Sequence, residues 1–270
     1  MDNLITQMAP ISLDEMSGIK LMNRTDTKFV TTMDQLVRLL RLARNDYRIQ
    51  EIDGKRNMAY YTTYFDTPDM NMYTVHQNGH TGRQKLRIRC YVDSHLSFLE
   101  VKTKNNHGRT KKKRVDMVGF NPLQPDHDIR FVAQDEQYRS YDEFLRRTLR
   151  YDPTVLREKL ENRFNRITLV NNARTERLTI DSSLRFHNLV TDQCFDMGPL
   201  VIIELKRDGL QPSPVLEMLR QLRIHPHGFS KYCMGSAFTN PDLKRNRFKE
   251  RLRYVERLRM FSETNTTQQN

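Results

Sequence analysis

Two periodicities divide the chain. Between residues 32 and 44, Leu36, Val37, Leu39, Leu40 and Ala43 recur at helical spacing within MDQLVRLLRLAR, and Thr32 stands where a side-chain oxygen caps a helix. Residues 135–150 repeat that spacing with Tyr138, Tyr141, Phe144, Leu145 and Leu149. Ser213 followed by Pro214 opens a third helix, VLEMLRQLRI, because proline is well placed in a first helical turn. A fourth is predicted over 243–260, where Phe248, Leu252, Val255 and Leu258 form a stripe among many bases.

The rest alternates with a period of two, as strands do, and its polar positions are strongly basic. Residues 58–65 (MAYYTTYF) are aromatic and rich in threonine, ending in the turn sequence DTPD. In 85–91, Lys85, Arg87 and Arg89 oppose Leu86, Ile88 and Cys90; in 97–104, Glu100, Lys102 and Lys104 oppose Leu99 and Val101. Residues 112–117 place Lys112 and Arg114 on one face, with Lys113, Val115 and Met117 on the other. Residues 164–170 set Arg166 and Thr168 against Ile167 and Leu169. Residues 177–186 set Arg177, Thr179, Asp181 and Arg185 against Leu178, Ile180, Leu184 and Phe186. Residues 200–207 pair Glu204 with Lys206 opposite Val201, Ile203 and Leu205. A basic strand leading to Glu-Val-Lys at 100–102 is echoed by one leading to Glu-Leu-Lys at 204–206, as expected of two halves of one antiparallel sheet, a pseudo-symmetric barrel or a two-lobed sheet.

Composition sharpens this picture. The 270 residues carry 45 Lys and Arg against 33 Asp and Glu, a formal charge of +12, with 37% hydrophobic residues. That length supports a sizeable core without staples. Three cysteines (Cys90, Cys194, Cys233) form no closed framework and no CxxC pair, which fits a reduced compartment. No leader or membrane-span pattern stands out, so a soluble, cytoplasmic protein is expected. No linker divides the chain, which reads as an extension (1–15), one domain (16–240), a basic helix (241–260) and a disordered tail (261–270).

A solvated sheet face normally mixes signs, because like charges on neighbouring strands repel. Faces carrying almost only Lys and Arg are tolerable when a polyanion neutralises them. Closing the sheet would turn the apolar faces outward under the helices and the basic faces inward around a wet channel, whose low-dielectric walls strengthen each charge. Carboxylates beside phosphate oxygens call for a divalent cation between them, which makes Glu204 and Glu100 candidate ligands.

The motifs resemble those of the VTC domain, the polyphosphate polymerase branch of the triphosphate tunnel metalloenzymes. They run in order through most of the chain: Arg24-Thr25-Asp26-Thr27-Lys28-Phe29, Tyr64-Phe65-Asp66-Thr67, Lys85-Leu86-Arg87-Ile88-Arg89, Leu99-Glu100-Val101-Lys102 and Lys112-Lys113-Arg114. Phe164-Asn165-Arg166, Arg177-Leu178-Thr179-Ile180-Asp181, Ile203-Glu204-Leu205-Lys206 and Ser230-Lys231-Tyr232 follow, each expected on a strand or strand end. The resemblance implies an α+β fold, an eight-stranded antiparallel β-tunnel closed as a barrel, with a basic interior and a few flanking helices. It implies transfer of the γ-phosphate of ATP to a growing polyphosphate chain with Mn²⁺ or Mg²⁺. Arg87, Arg89, Lys102, Arg166, Arg177 and Lys231 would act at the reacting phosphates. Lys28, Arg24, Lys85, Lys112, Arg114, Lys206 and Ser230 would bind the rest of the phosphates, and Glu204, with Glu100 second, would hold the metal. Relatives that hydrolyse triphosphates open with Glu-x-Glu-x-Lys, and Arg24-x-Asp26-x-Lys28 departs from that pattern. The acceptor phosphate is already ionised, so no histidine is assigned a role; His225 and His227 read as loop residues, and Asp66 and Asp181 as residues that orient neighbouring bases.

Two other activities use the same scaffold: an inorganic or nucleoside triphosphatase, and a sensor that binds polyphosphate without turnover. Nucleic acid is not expected, since the aromatic and basic interleaving of a stacking platform is missing. The 243–260 helix reads as packing on the barrel, or as touching an anionic membrane surface or a membrane protein, or as feeding polyphosphate. The charge then divides. Thirteen bases and four acids of the proposed tunnel give +9, eight bases and two acids of the helix give +6, and the remainder is slightly acidic.

Overall fold

The computed structural model describes residues 1–17, 24–106, 110–117, 136–209 and 211–267. Its strands are β1 (Pro10–Ile11), β2 (Arg24–Thr32), β3 (Tyr47–Gln50), β4 (Met58–Asp66), β5 (Gln84–Tyr91), β6 (Leu96–Lys104), β7 (Thr110–Asp116), β8 (Arg157–Asn171), β9 (Glu176–Asn188), β10 (Cys194–Asp196) and β11 (Leu200–Asp208). The helices are α1 (Asp2–Gln7), α2 (Leu13–Ser17), α3 (Met33–Ala43), α4 (Asn71–Gln77), α5 (Glu136–Thr148), α6 (Pro214–Gln221), α7 (Lys231–Thr239) and α8 (Lys249–Thr267).

Eight strands follow one path, β2-β11-β9-β8-β4-β5-β6-β7, and all its pairings are antiparallel. The fold is therefore α+β with an eight-stranded antiparallel sheet at its centre. The expected closed barrel is not formed: β2 and β7 end the path, and no pairing joins them among the described residues. What spans the concave side instead is the segment before α7, where Lys28 Nζ donates to the Phe229 carbonyl at 2.9 Å and Lys85 Nζ to Ser230 Oγ at 2.8 Å. The edge strand β7 is exposed and carries Lys111, Lys112, Lys113 and Arg114, charges that discourage pairing with another sheet.

Alternation sorts the side chains onto two faces. On the convex face, Leu178, Ile180, Val201, Ile203 and Leu205 join the buried stripe of α3 (Leu36, Leu39, Leu40, Ala43), with Val215 and Leu219 of α6. Farther along, Leu86, Ile88, Cys90, Leu99 and Val101 pack under Tyr141, Phe144, Leu145 and Leu149. The side chain of Tyr138, like that of Arg24, lies outside the described residues. Thr32 caps α3 as expected, accepting from Gln35 N at 3.3 Å.

The concave face is divided. One part is lined by bases, and the other is dry: Val30, Tyr64, Leu160, Phe164, Leu184, Phe186 and Ile202 pack against α7 and against Phe248, Leu252 and Val255 at the start of the C-terminal helix. A slip in β9 helps make the dry part. Its register against β8 shifts between Arg163 and Asn165, and Ser183 takes a left-handed φ of 52°. One extra residue exchanges the faces beyond it. Leu184 and Phe186 therefore turn inward, and Arg185, expected beside Asp181, is exposed and pairs with Asp196 at 2.7 Å.

Two further expectations change here. Ser230-Lys231-Tyr232 opens a helix rather than ending a strand, with Ser230 Oγ accepting from Cys233 N at 3.2 Å. The C-terminal helix runs to Thr267, beyond the expected end at 260 and through most of the segment read as disordered. Its apolar stripe packs on the sheet, as the sequence spacing suggested.

Candidate active site

A cavity of about 450 Å³ occupies the wet part of the concave face. Eleven bases line it (Lys28, Arg83, Lys85, Arg87, Arg89, Lys102, Lys104, Arg166, Lys206, Lys231 and Arg251) against two carboxylates, Asp26 and Glu204. Strand alternation delivers most of them: Lys28 from β2, Lys85, Arg87 and Arg89 from β5, Lys102 and Lys104 from β6, Arg166 from β8, and Glu204 and Lys206 from β11. The first turn of α7 adds Lys231 and its cap Ser230.

Buried carboxylates behind the wall hold these bases in place. Asp181 accepts a bidentate pair from Arg166, Nε to Oδ1 at 2.6 Å and Nη2 to Oδ2 at 2.8 Å, and also accepts from Lys231 Nζ. Glu100 is wholly buried and takes Arg87 Nε on Oε2 at 2.7 Å and Lys112 Nζ on Oε1 at 3.1 Å. Burial pushes both carboxyl groups up, and their cationic partners outweigh it: Arg87, Arg89 and Lys112 for Glu100, Arg166 and Lys231 for Asp181. Both remain ionised. Asp66 has a different task. Its carboxylate accepts from the amides of Thr67, Met72 and Tyr73 and from the Tyr232 hydroxyl, so it caps α4 and ties it to α7.

The remaining cations are held against their own repulsion. Arg87 foremost, then burial and Arg89, push Lys102 well below the ordinary lysine range. Burial lowers Arg89, with Arg87 and Arg166 adding to the effect; its guanidinium lies 5.8 Å from the ring centroids of Tyr60 and Phe164. Lys85 and Lys206 are lowered mainly by burial, and Lys231 falls to about 8 for the same reason. Burial would raise the Tyr64 phenol, yet Arg87, Arg89, Lys231 and Lys85 bring it below its usual range. Bases far outnumber carboxylates here, and several negative charges entering together would favour the charged form of each lysine.

Of the residues expected to bear function, Lys28, Lys85, Arg87, Arg89, Lys102, Arg166, Glu204, Lys206, Ser230 and Lys231 share this cavity. Four others stand apart from it. Glu100 has both oxygens engaged in buried ion pairs, which removes it as a metal ligand. Lys112 is bound to Glu100, Arg114 lies 4.1 Å from the Phe98 ring centroid at the sheet edge, and half-buried Arg177 is beyond the cavity wall. Arg83, His76 and Arg251 line the cavity without having been expected there. Arg83 extends the alternation of Lys85, Arg87 and Arg89 by one step, a signal present in the sequence. His76 had no comparable signal. Its Nδ1 lies 3.0 Å from Cys233 Sγ, and burial, then Lys85 and Arg83, keep the imidazole neutral.

Among the described residues no group of three or more His, Cys, Asp or Glu side chains could hold a metal ion alone. Glu204 does face the cavity as a carboxylate: burial opposes its charge, but Lys28 and Lys206 hold it well below the usual range, and Lys206 Nζ donates to Oε2 at 2.9 Å. Asp26 stands nearby on β2, whose Lys28 pairs with Glu204 in the register. Two carboxylates at the edge of an anion cavity fit a divalent ion that takes its other ligands from phosphate oxygens and water.

Residues 23–240 match the VTC domain. The chain belongs to the VTC domain family. No curated protein matches the VTC chain. Solved structures similar to it include a candidate adenylyl cyclase from Hippeastrum described as having a dominant triphosphatase activity, at 14% identity and TM-score 0.47, covering 81% of this chain and 97% of that one. A candidate adenylate cyclase from Bacillus halodurans is similar at 14% identity and TM-score 0.46, covering 77% and 96%.

Proposed function

We propose that this VTC chain is a polyphosphate polymerase that transfers the γ-phosphate of ATP to a polyphosphate end inside the basic cavity. The observation that carries the reading is the eleven-to-two excess of bases over carboxylates around one cavity, with Lys102 lowered foremost by Arg87 and Lys85, Lys206 and Lys231 lowered mainly by burial. A polyphosphate end is a dense anion that would favour their charged forms.

Arg87, Arg89, Lys102, Arg166 and Lys231 surround the reacting phosphates in this reading. Glu100 aims Arg87, and Asp181 aims Arg166 and Lys231, so the donors are positioned before substrate arrives and need little reorganisation during transfer. Lys28, Lys85, Lys206 and Ser230 bind the flanking phosphates. Ser230 Oγ accepts from Lys85 and from Cys233 N, which leaves its own proton to donate inward. Glu204, with Asp26 beside it, would hold Mn²⁺ or Mg²⁺, which supplies Lewis-acid neutralisation of the transferred group. The acceptor is already an oxyanion, and the neutral His76 needs no base role.

The exposed base Arg257 of α8, one turn from exposed Met260 and Phe261, forms the contact to an anionic membrane surface or membrane protein at the cytoplasmic side. No described helix is long and apolar enough to cross a membrane. A cavity of about 450 Å³ is too small for duplex nucleic acid.

The test is incubation with ATP and Mn²⁺ or Mg²⁺, followed by gel separation of chains and assay of ADP. Chain growth with stoichiometric ADP supports the polymerase. Orthophosphate without chains assigns a triphosphatase, and tight binding of tripolyphosphate without turnover assigns a sensor.

A further inference from the structure

We infer that Arg251, carried by the C-terminal helix α8, is a phosphate-binding residue of the cavity, and that ligand binding clamps this helix onto the sheet. The inference rests on the anionic reading of the cavity above. It concerns an element outside the residues that match the VTC domain, which end at 240.

Arg251 lines the cavity, although its helix begins only at Lys249. Its guanidinium lies over Gly228, where a Cβ would stand in ordinary contact, 3.5 Å from Cζ and Nη2. The guanidinium carbon is also 5.9 Å from the Phe248 ring centroid. The side chain thus lies against the loop that delivers Ser230 and Lys231.

The helix offers Arg251 no acidic partner at the spacings that bring side chains together. Its neighbours at three and four residues along the helix are Arg247, Phe248, Tyr254 and Val255, none of them acidic. Arg253, one turn face away, has Glu250 and Glu256 at those spacings. Arg251 also adds to the forces that keep His76 and His227 from taking up a proton. A cation at the wall of a basic cavity repels the other bases there and is attracted to the same anion that they bind.

The helix is coupled mechanically to the rest of the site. Leu252 and Val255 are buried in the dry core, and the Tyr254 hydroxyl donates to the Val30 carbonyl at 3.2 Å. The Tyr254 ring stacks on His227 at 4.2 Å between centroids, and His227 N donates to the carbonyl of Lys28 at 2.6 Å. Lys28 in turn reaches the Phe229 carbonyl. A ligand held by Lys28 and Arg251 thus bridges β2 and α8. Because coupling is reciprocal, tighter ligand binding through the docked helix means a more firmly docked helix in the presence of ligand.

The experiment uses the full chain with inorganic tripolyphosphate as the probe, comparing wild type with Arg251→Ala, Arg251→Lys and the exposed control Arg253→Ala. Calorimetry is expected to show affinity falling about tenfold or more for Arg251→Ala, the range of a lost hydrogen bond to a charged group. Arg251→Lys should fall less, and Arg253→Ala less than about threefold, as befits a solvated charge. Hydrogen exchange over residues 249–262 should slow on adding tripolyphosphate to the wild type but not to Arg251→Ala. Thermal melts of the unliganded variants check folding, and the lysine variant gives the answer should the alanine variant fail to fold. Wild-type affinity in both Arg251 variants, or exchange in the helix indifferent to ligand, overturns this inference and leaves the anion site standing. Absence of tripolyphosphate binding by the wild type overturns both.

Discussion

Two glutamates that look alike in sequence, each followed two residues later by lysine, do different work. Glu100 is closed off between Arg87 and Lys112, whereas Glu204 meets the cavity with one-fifth of its side chain exposed. Removing the charge of Glu100 strands a buried guanidinium, so Glu100→Gln should lower folding stability by about 3 kcal/mol in urea denaturation. Glu204→Gln should cost much less stability and retain tripolyphosphate binding, while losing metal-dependent turnover. Equal destabilisation by the two would contradict this division of labour. Sequence alternation placed both on the inner face correctly. It carried no information on depth, since burial of Glu100 depends on β7 closing over it from one side. Arg114 and Arg177 stand apart from the cavity for the same reason: a face is readable along one strand, but distance from the centre of a curved sheet is set by its neighbours.

At the level of elements, helices with a wide apolar stripe and strands with strict alternation were legible, and short or atypical pieces were not. The α7 sequence KYCMGSAFT has apolar and small residues on every side, because it is buried nearly all round between sheet and C-terminal helix. No periodicity marks such a helix. The α4 helix is capped by Asp66, four residues before its Met70 cap position, a device invisible to a search for capping residues at the helix start. The same close packing gives a test. A Cβ on Gly235 would come within 2.7 Å of Leu160 and nearer still to Phe186, both on the sheet. Gly235→Ala should therefore force α7 outward, costing about 2 kcal/mol by thermal denaturation. Displacement of Lys231 would accompany it, so tripolyphosphate affinity should fall as well; a stable variant with unchanged affinity would show that α7 does not set the cavity wall.

For the molecule as a whole, the charge partition read from the sequence is redrawn: nine of its thirteen tunnel bases line the cavity, Lys112, Arg114 and Arg177 stand apart from it, and the C-terminal helix contributes Arg251. The closed barrel did not follow from strand count, because closure depends on whether the first and last strands meet. Anion binding should show the signature of cations held partly deprotonated. With Lys231 lowered to about 8, a bound phosphate favours its charged form, so binding near that pH takes up protons and weakens as pH rises through it. In the unliganded protein the sign reverses. The unfolded lysine keeps its proton to higher pH than the folded one, so this group makes folding stability rise with pH from about 8 toward the ordinary lysine value. Thermal melts from about pH 7 to about pH 9, with and without tripolyphosphate, should show the ligand-induced shift shrinking. A shift that grows across that interval would rule out the lysine cluster as the binding determinant.

The dry half of the concave face makes the cavity a vessel with a floor. Its wet part ends on the first turn of α7, behind which Leu160, Leu184 and Phe186 fill the interior. A linear anion lodged there would be gripped by one end, and only the units inside would contribute contacts, with the remainder trailing in water. Affinity across a ladder of polyphosphates of increasing length should climb for the first few units and then level off. A climb that continued with every added unit would mean that the chain finds a way past the floor.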